Sequence, residues 1–308
     1  MKHLKQYLLI SLATIASVLM SLSSHAGILG LAGNYNTFIF NDFSGSSDTE
    51  GRLAVGGNAH LQNYSVGDKL GTSSDQVVLT VAGNLQADYG RVYGAAEVGG
   101  SANVTQAHGY ADGGISENSH IAIDFAAEHT YLNGVSNQLS SLSSNGNVLQ
   151  QWGGLYLSGD GQSQQQVFEL DGNDLLNAHT FEVSNLADDA EIIFNISGGS
   201  AGLSNMSMAS LLPSRDKVLF NFYEATELLL SGISVEGSIL APLANVQDPQ
   251  GVINGTVIAA SWDGAMQQNH VPYTATPPPS SVPEPGSALL FAAAIFLLAW
   301  QRRFSLSK

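Results

Sequence analysis

The sequence predicts a mainly β domain: an irregular right-handed β-solenoid with one long helix packed alongside, behind a signal peptide and ahead of a transmembrane helix. Three observations carry that expectation. Short runs around a β-branched Val end in Gly-containing corners at Leu53-Ala54-Val55-Gly56-Gly57-Asn58, Leu79-Thr80-Val81-Ala82-Gly83-Asn84 and Glu97-Val98-Gly99-Gly100-Ser101. Two later segments, Gly237-Ser238-Ile239-Leu240-Ala241 and Gly255-Thr256-Val257-Ile258-Ala259, nearly superimpose at an offset of 18. Glycine (33 residues) far outnumbers Lys and Arg together (10), a mix that suits short strands and tight turns. Strands recurring at such intervals read as stacked rungs. The early repeats are 26 and then 17 apart, so the coil is irregular, and an ordinary β-sandwich is the alternative.

Residues 1–26 form a three-part secretory signal: Lys2 and Lys5, an apolar stretch over 7–22, then Ser24-His25-Ala26 with cleavage after Ala26. The body spans 27–275. Its corner glycines and asparagines are expected to supply the positive φ that turns need. Across 121–142, Ile121, Phe125, Leu132, Val135, Leu139 and Leu142 recur largely three, four or seven apart, the stripe of an amphipathic helix. Asp124 suits the positive end of that helix and Ser143-Ser144-Asn145-Gly146 its stop, while Gly134 weakens it. Laid along the solenoid, the helix would bury its stripe against one face. Strands are expected over 181–196 and 218–233.

Residues 276–285 hold a stiff polar linker, Pro277-Pro278-Pro279-Ser280-Ser281, and then Pro283-Glu284-Pro285. Residues 286–303 hold an apolar run ending in Arg302-Arg303. The 15 residues from Gly286 to Trp300 span about 22 Å at ~1.5 Å each, less than a hydrocarbon core of ~30 Å. Snorkelling arginines and Phe304 extend it. So short a span behind Pro283-Glu284-Pro285 reads as a temporary hold on a membrane.

All 26 acidic residues fall between Gly27 and Pro285, where the only basic ones are Arg52, Lys69, Arg91, Arg215 and Lys217, a formal charge of −21. Such a surface repels nucleic acid and anionic lipid, so neither is expected as a partner of the body. The chain has no cysteine, which removes thiol catalysis and thiolate metal sites and leaves the exported domain to be held by its own core.

The tail, through Pro283-Glu284-Pro285, the apolar run and Arg302-Arg303, resembles the PEP-CTERM sorting signal of Gram-negative bacteria that make exopolysaccharide. That resemblance implies signal peptidase and an exosortase as processing partners, with release of the body to the cell surface or extracellular matrix. Through Phe40-Asn41-Asp42-Phe43, Gly51 to Asn58, Val218-Leu219-Phe220-Asn221-Phe222, Gly237 to Pro242, and Ile253-Asn254-Gly255, the body resembles the choice-of-anchor A domain of surface proteins. It implies a solenoid-like fold and an adhesive role, and transfers no catalytic residues. The Gly237 and Gly255 rungs and the central helix are more distantly similar to bacterial ice-binding β-helices.

Candidate chemistry is sparse. His60, His108, His120, His129, His179 and His270 remain after signal cleavage, and none has ligand spacing. Asp42, Asp48 and Glu50, and separately Asp188, Asp189 and Glu191, are acid-rich loops of the kind that suit Ca²⁺, although neither follows a calcium motif. No catalytic, metal or cofactor residues are assigned, and the expectation is a non-enzyme. A polysaccharide-active β-helix enzyme and an ice-binding protein are the alternatives; Thr80, Thr105 and Thr256 do not form a regular threonine array. Asn63, Asn103, Asn195, Asn205 and Asn254 precede x-Ser/Thr and read as turn and corner residues. Trp152, Tyr156 and Trp262 are the aromatics that would stack on exopolysaccharide or another surface sugar if exposed.

Overall fold

In each interior rung an aliphatic or aromatic residue points inward and meets its equivalent on the next rung. Leu53 pairs with Leu79, Val55 with Val81 and Val81 with Val98, so both early spacings, 26 and 17, are rung-to-rung registers. Ile239 pairs with Val257 and Ala241 with Ala259, which is the offset of 18. The computed structural model describes residues 27–71, 73–105 and 109–275. Ala26, Pro283, Glu284, Pro285, Arg302, Arg303 and the membrane segment lie outside them. Among the described residues no helix is long and apolar enough to cross a membrane.

The body is mainly β and largely parallel. One ladder runs, in spatial order, through Ile115–Ser116, Ala95–Val98, Val77–Val81, Leu53–Val55, Thr37–Ile39, Val257–Gly264, Ser238–Gln247, Val218–Phe222, Glu191–Ser197 and Gln165–Asp171. The order departs from a chain coiling from one end to the other. The first strand, Thr37–Ile39, lies in the middle, between Leu53–Val55 and the late strand Val257–Gly264. The early repeats stack away from that junction in one direction and the late repeats in the other.

Two more parallel ladders run alongside. One joins Ala102–Val104, Leu85–Val92, Ala59–Val66, Phe43–Gly45, Val257–Gly264, Ser238–Gln247, Glu227–Ser231 and Ser200–Ser204. The other joins Ala59–Val66, Asp48–Thr49, Gln267–Asn269, Gly251–Asn254 and Ile233–Glu236. Interior side chains form register columns: the rings of Phe168, Phe194 and Phe220 stack at 5.5 and 4.9 Å, close to the ~4.8 Å between strands.

The corner motifs work differently from the expectation. Gly56, Gly57, Gly83, Gly99 and Gly100 are not among the positive-φ residues. They are glycine because rungs touch there: a Cβ on Gly99 would meet the Ala82 carbonyl oxygen at 2.2 Å, and one on Gly255 the Gly237 oxygen at 2.2 Å. The corner polar residues bond from rung to rung. Asp42 Oδ1 accepts from the Asn58 amide (2.7 Å), Asn58 Oδ1 from the Asn84 amide (3.0 Å) and Asn84 Oδ1 from the Ser101 amide (2.9 Å).

Helix α1, Phe125–Ser140, is shorter than the apolar stripe, beginning at its cap. Asp124 Oδ1 accepts from the Ala127 amide at 2.9 Å, satisfying an orphan donor of the first turn. Leu132, Val135 and Leu139 bury against the outward-facing Phe38, Ile193, Leu219, Leu240 and Ile258 of the first ladder. Each such burial is worth roughly 1.5–3 kcal/mol. The helix covers one face, as the stripe requires. A second sheet departs from the parallel pattern: Asn147–Gln151 pairs antiparallel with Gly154–Ser158, which pairs in parallel with Thr180–Ser184. Its inner side, Leu155, Leu157, Phe181 and Val183, joins the main core.

Candidate functional site

With one face of the body under α1, the outer side of the second ladder and the outer side of the small sheet are among the surfaces left open. On the second ladder, register aligns Asn103, Gln86, His60, Ser44, Asp263 and Gln247 in one outward column. Asn103, Gln86, Asp263 and Gln247 are exposed and His60 and Ser44 half-buried. His60 lies 3.6 Å from Asp88 and 3.2 Å from Gln62. The column is polar throughout, and its strands from Leu85–Val92 to Ser238–Gln247 are paired on both sides.

The small sheet carries different chemistry. Register places Leu149 beside Tyr156 and Tyr156 beside Glu182, one row across three strands. Gln151, Gly154 and Thr180 form the adjacent row, and beyond Gly154 the chain turns through Trp152 and Gly153, at φ 52° and 73°. Trp152 is 81 % exposed, the most exposed large hydrophobic side chain among the described residues. A groove of about 340 Å³ lies on this side, lined by Tyr156, His179, Thr180, Glu182, Ser184 and Ser210 among others. His179 reaches back to the turn: its amide donates to the Gly153 carbonyl at 2.9 Å and its Nδ1 lies 3.1 Å from Thr180 Oγ1. Glu182 is exposed, and its carboxylate is free of hydrogen bonds to the described residues.

The three aromatics of the sequence reading therefore part company. Trp152 is exposed, Tyr156 half-buried at the groove, and Trp262, at 1 %, belongs to the interior stacked on Phe43. The loop acids also divide. Asp42 caps the corner ladder, and Glu50 accepts the His270 amide at 2.9 Å. Asp48 is pushed upward, chiefly by burial, with Asp68 and Glu50 adding to it. Glu191 is buried and accepts from Gln165 and Tyr273, while Asp189 pairs with Lys217. Among the described residues no group of three His, Asp or Glu side chains is placed to hold a metal ion.

His129 packs edge-on to Phe40 and lies 3.2 Å from the Pro242 carbonyl, so it serves helix docking. Asn63 and Asn205 take positive φ, as turn residues do, but Asn195 and Asn254 lie buried within strands. Their x-Ser/Thr context carries no information about that placement. The Tyr156–Glu182 neighbourhood was not readable either, since no repeated motif relates Gly154–Ser158 to Thr180–Ser184.

No curated protein matches this chain. Among solved structures it is similar to a glycosylated ice-binding protein (LeIBP) from Arctic yeast, at 14 % identity over 84 % of this chain and 99 % of that one, TM-score 0.34. A structure of the same protein determined for its antifreeze activity matches at 12 % identity over 82 % and 96 %, TM-score 0.30. A family model described as "Putative Ice-binding-like adhesive domain" matches residues 28–270, well over half the chain, and the chain belongs to that family.

Proposed function

We propose that this chain is an exported, surface-displayed adhesive protein that binds without catalysis. Its ladders are read as the faces of an irregular right-handed solenoid interrupted at the junction of the first and last rungs. One observation carries the adhesive reading: the family match spans the body, and the body keeps an open column of polar side chains on laddered backbone while α1 covers another face. Side chains held on paired strands are presented at fixed spacing without an ordering cost on binding. The acidic surface favours neutral surface ligands over polyanions.

In this reading the ends are addresses. Signal peptidase cuts after Ala26, an exosortase acts at Pro283-Glu284-Pro285, and Arg302-Arg303 holds the precursor at the inner membrane until then. Replacing those three motif residues by alanine is expected to leave the chain in the membrane of a host with the sorting machinery. Release at the wild-type rate would overturn the sorting part. Adhesion is tested by retention of the purified full chain, with and without Ca²⁺, on cell surfaces and on polysaccharide. Retention with the polymer intact is expected; turnover of the polymer would make the protein an enzyme. Ice recrystallisation inhibition without retention would replace adhesion by ice binding.

A further inference from the structure

The outer side of the small sheet concentrates features that the fold itself does not use. A two-residue hairpin loop with both residues at positive φ favours Asn-Gly, because Asn and Gly tolerate that region and bulky residues rarely enter it. Here the first position is Trp152, at φ 52° and 81 % exposed. Burial gains nothing from the indole in that position. Tyr89, at φ 63° and 55 % exposed, shares both features, so what singles out Trp152 is the groove on its side of the small sheet.

Beside it, Tyr156 and Glu182 sit opposite one another on paired strands and His179 packs against Gly153. Neither the Tyr156 hydroxyl nor the Glu182 carboxylate bonds to the described residues, so both are open to a ligand. The groove is roomy for a residue or two of a chain molecule, at about 340 Å³, and Thr180, Ser184 and Ser210 add hydroxyls along it. A flat aromatic face, a partnerless carboxylate acceptor and a line of hydroxyls match a ligand with an apolar ring face and a rim of hydroxyl donors. A pyranose has both. The carboxylate and a body at −21 disfavour a polyanion.

We propose that Trp152, Tyr156, His179 and Glu182 form a binding site for a neutral polysaccharide, the indole and phenol stacking on sugar rings and Glu182 accepting their hydroxyl protons. This rests on the adhesive reading and names its ligand. It adds a contact at the small sheet to the outward polar column of the second ladder.

The test is affinity electrophoresis of the purified full chain in gels containing mixed-linkage β-glucan, dextran or, as the polyanion, alginate, alongside retention on whole cells. Trp152→Asn removes the indole while supplying the residue that the turn prefers, so its melting temperature is expected to equal or exceed that of the wild type. Trp152→Asn and Tyr156→Ala are each expected to weaken binding to a neutral glycan about tenfold, and Glu182→Gln several-fold. Tyr89→Asn removes another exposed aromatic held at positive φ, on a strand of the second ladder, and is expected to leave glycan binding unchanged. Wild-type binding to neutral glycan that survives Trp152→Asn overturns the site while leaving adhesion standing. Retention on cells with no neutral-glycan binding, or with alginate binding alone, overturns the ligand class and again spares adhesion. Loss of both cell and glycan retention in the wild type defeats the two readings together.

Discussion

The side-chain Oε1 of Gln268 accepts a hydrogen bond from the Thr37 hydroxyl at 2.7 Å, joining residues 231 positions apart where the first and last rungs meet. Both are fully buried. The same oxygen lies 2.6 Å from Thr49 Oγ1 and 3.1 Å from the Tyr64 hydroxyl, which itself bonds Thr49. Burial keeps the Tyr64 phenol protonated across the accessible pH range. This is a polar knot inside a mainly apolar interior, placed at the seam that a coil running from one end to the other would not have.

Gln268→Leu keeps the volume and removes the shared acceptor. An unpartnered buried hydroxyl costs about 1–3 kcal/mol, and Thr49 and Tyr64 retain one another, so with Thr37 stranded a loss of about 1–3 kcal/mol is expected. Urea denaturation measures it. Adding Thr37→Val should restore part of the stability, because removing both partners of a buried bond is far milder than removing one.

Rung contacts at the corners are expected to tolerate loss of a hydrogen bond better than gain of a methyl. Asn84→Ala removes an exposed bond to Ser101 and should cost about 1 kcal/mol. Gly255→Ala puts a Cβ 2.2 Å from the backbone oxygen of Gly237, which can move only by separating two rungs, and should cost about 2–3 kcal/mol. If the two midpoints shift equally, close packing is not what fixes glycine at this corner.

Local spacing made the rungs legible, because register repeats the same residue types at the same offset: Val55, Val81 and Val98 are visible in the sequence and stacked in space. The stripe of α1 was legible for the same reason. The seam was not, since no local pattern says that Thr37 will lie against Val257. Nor was the small sheet: Asn147–Gln151 and Gly154–Ser158 are short and flank a Trp-Gly turn instead of Asn-Gly. Trp152 was readable as an aromatic of interest, but its exposure depends on that turn.

One substitution is expected to stabilise. Gly134 is exposed in the middle of α1, its φ is helical, and a Cβ there would meet nothing within 4 Å. Gly134→Ala should add up to about 1 kcal/mol through helix propensity alone, seen as a higher melting temperature with unchanged glycan retention.

His270 gives the body a pH dependence of defined sign. Burial, helped by Arg52 and opposed by Glu50, holds its pKa below the ordinary 6.5. Above 6.5 the ring is neutral in folded and unfolded chains alike, and no stability depends on it. As pH falls through 6.5 the unfolded chain takes up the proton first, so stability is lost. Between about pH 7 and about pH 5.5 the wild type should lose stability while His270→Phe, which also removes a buried unpartnered Nδ1, stays flatter. Parallel slopes in the two proteins would mean that other groups set the dependence.

Helix α1 is pinned as well as packed, and the pin is separable from the interior. Asn221 is fully buried: its Oδ1 accepts from the Ser136 hydroxyl, and its Nδ2 donates to the Ser136 carbonyl and to Asn195 Oδ1, both at 2.9 Å. Asn195 Nδ2 in turn donates to the Leu139 carbonyl at 2.7 Å. Asn221→Leu strands the Ser136 hydroxyl and Asn195 Oδ1 and should cost about 3 kcal/mol, of which Ser136→Ala in the double mutant returns a part. Because Asn221 faces the helix while its neighbour Phe220 faces the interior, the damage should be local. Amide exchange is expected to quicken across Phe125–Ser140 and to stay slow in Val218–Phe222 and Val257–Gly264. Uniform quickening would instead mean that the helix and the ladders unfold as one unit, and that covering this face is a condition of the β body forming at all.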